Sequence, residues 1–191
     1  MKINWKPGTL LYPLPAVMVS VGADPSEYNI LTVSWTGTIC SDPAMCYISV
    51  RKSRHSYPLL EKNKCFVLNL TTEDLSYATD WCGVKSGAEV NKFEAMGLTA
   101  VPAQQVAAPV IAESPLNIEC EVVEIKELGT HDMFIAKVVN IQADERFIDP
   151  KTGAFNMKEA NLIAYMHGGY YSIGKRIGKF GWSVQKKKKR K

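Results

Sequence analysis

Residues 29–56 read NILTVSWTGTICSDPAMCYISVRKSRHS. Apolar and hydroxyl side chains alternate from Ile30 to Thr36. This predicts one strand with Leu31, Val33 and Trp35 on one face and Thr32, Ser34 and Thr36 on the other. Ser41-Asp42-Pro43 marks a turn. Alternation resumes from Met45 to Arg51, with Cys46, Ile48 and Val50 on one face and Tyr47, Ser49 and Arg51 on the other. A helix is predicted over 56–61, with Ser56 as N-cap and Pro58 in the first turn, where a missing N–H costs little.

Outward from this stretch the strand signal continues. Ala16 to Gly22 is β-branched and apolar, and Asp24-Pro25-Ser26 turns the chain. Cys65 to Leu70 is nearly continuous in apolar residues, as expected of a central strand covered on both faces. Short helices are expected at Asp74–Trp81, with Thr71 and Asp74 as a capping-box analogue, and at Val90–Met96 before Gly97. Residues 102–115 read as an irregular crossing. Leu116–Glu127 and Met133–Ala143 form a long hairpin turning near Gly129. No repeat and no second domain boundary is visible, so the expectation is one domain over 1–184 and a disordered polybasic tail over 185–191. Many strands with few short helices predict a mainly β fold closed, or nearly closed, into a barrel.

Composition narrows the class. With 46% hydrophobic and 22% charged residues among 191, the chain is an ordinary globular sequence. No apolar run is long enough to cross a bilayer, and Met1 to Pro7 lacks a signal-peptide core, so a cytoplasmic location without membrane partners is expected. The net charge of +4 comes from the end: six of 23 basic residues occupy Lys186–Lys191, leaving 17 against 19 acidic residues. An acidic body without a recognition motif argues against a nucleic-acid-binding module that uses the tail. Five cysteines, odd in number and without a CxxC pair, argue against a disulfide framework and a cysteine zinc site. Cys65 and Cys120 read as buried small hydrophobes, and Cys40 and Cys82 as loop residues. His55, His131 and His167 have no partners at metal-ligand spacing, so no metal is expected.

The strongest chemical constellation is Ser49-Val50-Arg51-Lys52-Ser53-Arg54-His55-Ser56, where a strand feeds a helix start. Such junctions offer free backbone N–H groups, and arginine binds phosphate bidentately. The same residues fit an anion cradle or a solvated basic turn. The hydroxyls of Thr32, Ser34 and Thr36 suit either a solvent face or a strand edge meeting a flat polar ligand, with Gly37 permitting close approach. His131 reads as a plain turn histidine or as a candidate for proton or hydride chemistry. Ser172 to Gly181 lacks the G-x-G-x-x-G spacing and follows no clear strand, and no P-loop occurs.

Taken in order, Lys6-Pro7-Gly8-Thr9, Tyr12 to Pro15, Asn29 to Gly37, Asp42-Pro43, Ile48 to Arg51, Arg54-His55-Ser56, Cys82-Gly83, Ser86-Gly87, Asn91-Lys92-Phe93, Gly129 to Ile135, Tyr171 to Gly174 and Gly178 to Gly181 resemble the flavin reductase-like family, and within it the flavoredoxin branch. Asn91 stands where that family often has aspartate. The resemblance runs to about Ser183. It implies an FMN-binding split β-barrel, Greek-key-like, with short peripheral helices, working as a homodimer. It places Thr32, Val33, Ser34, Trp35 and Thr36 along the isoalloxazine ring. It places Ser49, Arg51, Ser53, Arg54, His55 and Ser56 around the ribityl phosphate, and Val50 among the cofactor-binding residues. Lys92 would lie near the cofactor, within the chain or across a dimer boundary, and His131 beside a nicotinamide. The implied activity is hydride transfer from NADH or NADPH to flavin and then to a small-molecule or protein acceptor. An FMN electron carrier with no NAD(P)H oxidation of its own remains the alternative. A barrel for heme or another cofactor is the rival reading.

Overall fold

In the computed structural model, which describes residues 1–185, alternation becomes strand wherever a face is covered. The elements are β1 (Leu14–Pro15), β2 (Val17–Val21), β3 (Asn29–Val33), β4 (Thr36–Ser41), β5 (Ala44–Val50), α1 (Ser56–Asn63), β6 (Cys65–Leu70), α2 (Ser76–Val84), α3 (Lys92–Met96), β7 (Ala100–Pro102), β8 (Pro109–Ile111), β9 (Leu116–Glu127), β10 (Asp132–Ala143), β11 (Ile163–Met166) and β12 (Gly169–Ser172). Seven strands form one antiparallel sheet in the order β3-β2-β6-β9-β10-β5-β4. Its hairpins are β2–β3, β4–β5 and β9–β10. After β5 the chain crosses through α1, and β6 pairs with β2 and β9 rather than with β5, a Greek-key-like return. Lys186–Lys191, expected to be a disordered tail, lie outside the described residues.

β3 and β4 are consecutive in sequence but occupy opposite edges of this sheet. The chain passes between the edges by bending at Ser34–Trp35, and the Ser49 amide donates to the Trp35 carbonyl at 2.9 Å. The sheet thus curls into a barrel that meets at this seam without a continuous ladder. Val19, Val21, Leu31, Ile48, Phe66 and Phe134 fill its interior, and Tyr57 and Leu60 of α1 plug one end. α2 and α3 cover the outer face of β2 and β3 through Leu75, Ala78, Cys82 and Phe93 against Met18 and Ile30. β2 is therefore buried on both faces and shows no alternation.

The bend corrects the sequence reading. The predicted single strand over 30–36 stops at Val33, and β4, which was not foreseen, starts at Thr36. Trp35 is 37% exposed and Thr36 8%, the reverse of a continuous alternation, because leaving one edge for the other shifts the pleat. Ser56 is not the N-cap: that position is His55, and Ser56 is the buried first helical residue. Thr71 does not cap α2 but donates to the Ala16 carbonyl, and Thr72 holds the Leu75 amide instead. Residues 102–115 contain β8, paired with β7. Cys40 lies in β4 and Cys82 in α2, not in loops. A strand, β12, does precede Gly174, as part of a separate sheet ordered β1-β11-β12. The helix expected over 74–81 runs Ser76–Val84, and the one expected over 90–96 runs Lys92–Met96. The β5 faces, the central β6, the α3 stop at Gly97 and the Gly129 turn, at φ +114°, are as read. No helix among the described residues is long and apolar enough to cross a membrane.

Candidate functional site

The barrel seam opens into a cleft. Where β3 ends and the chain turns at Ser34–Trp35, a cavity of about 480 Å³ is bordered by Thr32, Val33, Ser34, Trp35, Ser49, Val50, Arg51, Arg54 and His131. A second cavity of about 450 Å³ is lined by Arg51, Ser53, Arg54, His55, Ser56 and Lys92. Leu31, Thr32, Arg51, Arg54, Gly83 and Val84 border both, so the two are parts of one elongated site. Of the residues that the family resemblance places at the flavin or the nicotinamide, Thr36 alone borders neither cavity. It is buried, and its hydroxyl donates to the Tyr47 carbonyl at 2.6 Å. Gly37 likewise makes its close approach to the Tyr47 ring and does not border the cleft.

The second cavity has the chemistry of an anion site. The 51–57 segment folds as two turns, Arg54 N to Arg51 O at 3.0 Å and Tyr57 N to Arg54 O at 2.9 Å, and then enters α1. The early amides of a helix lack intrahelical partners. The Arg54 guanidinium donates to the Gly83 carbonyl at 3.2 Å, which ties the turn to the end of α2. Ser56 Oγ accepts from Asn29 Nδ2 at 2.8 Å. Gly87 packs so tightly on the Asn29 carboxamide that a side chain there would displace it. Lys92 arrives from α3 of the same chain. It is buried, and Nζ donates to the carbonyls of Ile30 at 2.7 Å and Cys82 at 2.6 Å, with no carboxylate partner. Burial pushes its ammonium down to about 8, and Arg54 adds to the depression. A buried cation balanced only by carbonyl dipoles, facing two arginines across a cavity, is suited to a strongly anionic ligand.

The first cavity is flatter and more aromatic. Trp35 and His131 lie with ring centroids 4.6 Å apart, tilted by 40°. Burial first, and then the charges of Arg51 and Arg54, hold the His131 imidazole below its usual range, so at neutral pH it is uncharged. The remaining lining was not read from sequence: Asp80 and Val84 from α2, Tyr165 from β11, Gly168 from the turn before β12, and Tyr170 from β12. Tyr165 and Tyr170 pack edge-on at 5.5 Å. Burial and the neighbouring Asp80 push the Tyr170 phenol up to about 12. Two tyrosines beside paired glycines at 168–171 were a visible signal, yet nothing local tied that hairpin to the seam. Among the described residues no cluster of His, Cys, Asp or Glu could hold a metal.

Comparison with known proteins agrees with this geometry. The family model described as the flavin reductase like domain matches residues 9–174. An uncharacterized protein of Pyrococcus abyssi is 32% identical over 130 residues, covering 68% of this chain and 74% of the relative. The solved structure of the flavoredoxin of Desulfovibrio vulgaris (Miyazaki F) superposes with a TM-score of 0.89 at 27% identity, over 97% of this chain and 100% of that one. An FMN-binding protein from Thermus thermophilus shares the fold with a TM-score of 0.79 at 23% identity, over 94% and 99% of the two chains.

Proposed function

This chain belongs to the flavin reductase-like domain family, and from that premise we propose that it binds FMN along the two joined cavities and transfers electrons through it. The observation that carries the reading is the pairing of an aromatic-walled cleft with a second cavity holding Arg51, Arg54 and the carboxylate-free Lys92. A flat heterocycle fits the first and a phosphate dianion the second. When bound, the flavin supplies the redox chemistry, taking up a hydride and releasing electrons onward. The protein's part is to seat and shield it. Arg51, Ser53, Arg54, His55 and Ser56 hold the phosphate, with Lys92 beneath. The exposed backbone at Ser34–Trp35, with Thr32, Val33, Ser49 and Val50, borders the ring. Neutral His131, steadied on Trp35, stands at the open side, where a nicotinamide would approach and where alignment governs the rate.

NADH or NADPH is the proposed donor, and a small molecule or a second protein the acceptor. Rapid mixing with each nucleotide tests this, since flavin absorbance should bleach with one or both. The high structural similarity to a flavoredoxin favours a second reading, an FMN electron carrier that oxidises neither nucleotide. Absence of bleaching with both would select it. In the reductase reading, His131→Ala should slow hydride transfer by about 100-fold and leave FMN bound, the scale of loss when the reacting atoms are misplaced by about 1 Å. Unchanged reduction kinetics would demote His131.

Lys92 also gives the site a pH signature. Its unliganded ammonium titrates near 8, and a bound dianion favours the charged form. FMN affinity should therefore be greatest between about pH 6, where the phosphate loses its second proton, and about 8, and fall above that. A Lys92→Met variant should bind FMN more weakly with a flat profile between pH 7 and 9, and titration by flavin fluorescence reads both.

Homodimerisation belongs to the same proposal. Trp5, Leu11, Ile177 and Phe180 stand exposed on arms before β1 and after β12, apolar surface suited to a second copy. A cytoplasmic setting suits five free cysteines, of which Cys46, Cys65, Cys82 and Cys120 are buried. One domain over 1–184 suffices for all of these roles.

A further inference from the structure

Asp132 takes no part in the chemistry outlined above, yet it is a fully buried carboxylate at the start of β10, one residue beyond His131. Its side chain turns away from the cleft and under the 51–57 segment. Oδ2 accepts from the Tyr57 hydroxyl and faces Lys52 Nζ at 3.4 Å. Oδ1 is buried and has no hydrogen-bond partner among the described residues. Lys52 and Tyr57 immediately flank Ser53–Ser56, so Asp132 touches both ends of the anion cradle, sharing Lys52 Nζ with Glu127 at 3.3 Å. The root of the cradle is fixed at the same level, because Asp132 pairs with Val50 across the β10–β5 ladder. Tyr57 is itself held edge-on against Phe134 at 5.4 Å. A buried carboxylate with one oxygen unsatisfied is a poor device for stability alone.

We propose that Asp132 is a positioning residue that sets the cradle for the ligand's phosphate and so decides the preference for a phosphorylated flavin over its dephosphorylated form. This rests on the proposed seating of FMN. It acts through Tyr57 and Lys52 and touches no ligand. Two effects of the carboxylate oppose each other. Its charge repels a dianion, whereas its grip aligns the donors that bind one. Lys52 lies against the charge and offsets the repulsion, and the alignment acts at hydrogen-bond range, where geometry is decisive. The grip therefore outweighs the repulsion.

The test is the ratio of FMN to riboflavin affinity, read by fluorescence titration of the full chain. Asp132→Asn should lower that ratio by about tenfold, the equivalent of one misaligned charge-assisted hydrogen bond, with riboflavin affinity nearly unchanged. Tyr57→Phe, which keeps every charge, should lower it by about threefold, the scale of one neutral hydrogen bond. The double variant should fall no further than Asp132→Asn, because both act through one contact. A general loss of packing would weaken both flavins alike and leave the ratio where it was, and that result overturns the proposal. Tighter FMN binding by Asp132→Asn also overturns it, since repulsion would then be the dominant role. If Asp132→Asn does not fold, an unchanged ratio in Tyr57→Phe decides against it. A wild-type protein that takes up neither flavin removes the proposed function and this inference with it. A discriminating wild type with equally discriminating variants removes the inference alone.

Discussion

An Arg51→Ala variant is expected to bind FMN about 10- to 100-fold more weakly, while its affinity for riboflavin changes by less than about threefold. Arg51 leaves the end of β5 exposed and borders both cavities. Among the described residues no carboxylate pairs with it, so its guanidinium is free to meet an anion. A hydrogen bond between charged partners contributes about 1.5–3 kcal/mol, and each 1.4 kcal/mol is about a factor of ten, which sets the expected range. Riboflavin lacks the phosphate and should not register the change. Parallel loss of both ligands would mean that Arg51 supports the cleft instead of recognising the dianion. Ser56→Ala should have a smaller effect in the same direction, because its oxygen is already engaged by Asn29.

The second large effect concerns stability. Glu119 lies on β9 with no exposed surface, and among the described residues no cation pairs with it. Its carboxylate accepts from the backbone amides of Gln104 at 3.2 Å and Gln105 at 2.6 Å, and from the side-chain amides of Asn140 at 2.7 Å and Gln142 at 2.8 Å. One segment outside the hairpin, Gln104–Gln105, is pinned to β9 and β10 by this side chain. Asn140 and Gln142 can turn to solvent if the acceptor is removed; the two backbone amides cannot. Glu119→Ala should therefore cost about 2–6 kcal/mol, at about 1–3 kcal/mol for each of the two stranded donors. That is a large share of a typical domain stability of about 5–15 kcal/mol, and chemical denaturation would measure it. Burial alone would raise this carboxyl, but the donors outweigh burial and hold it below its ordinary value of 4.5. The sign follows from linkage: the contribution is complete above the unfolded pKa and is lost as pH falls through the lower folded one. Acid unfolding of the wild type should be steeper below pH 4.5 than that of Glu119→Gln. Equal acid slopes would remove Glu119 from this role.

The strands were legible in sequence where their environment is uniform along their length. β5 is covered on one face throughout, so Cys46, Ile48 and Val50 alternate with Tyr47 and Ser49 as the pleat demands. β6 and β2 are covered on both faces and read as apolar runs interrupted only by the buried Asn69 and Ser20. Reading failed at Ser34–Trp35, where a change of sheet edge interrupts a pattern whose residues still alternate. Only the closed sheet explains the bend. Most of the candidate site was legible for a related reason. Arg51 to Ser56 are contiguous, so their chemistry is concentrated in one stretch of chain. Asp80, Tyr165 and Tyr170 reach the same cleft from remote segments. Asp132 looked like an ordinary hairpin residue until Tyr57 was placed against it.

The link between Trp35 and Ser49 has a consequence for traffic through the cleft. That bond is the end rung of the β4–β5 ladder, next to the Thr36–Ile48 pair, and it borders the proposed berth of the ligand. Fraying there can admit or release a planar guest while the interior around Phe66 and Phe134 stays intact. Residence time and global melting are then separable properties, and stiffening the rim would prolong occupancy without raising the melting point of the barrel.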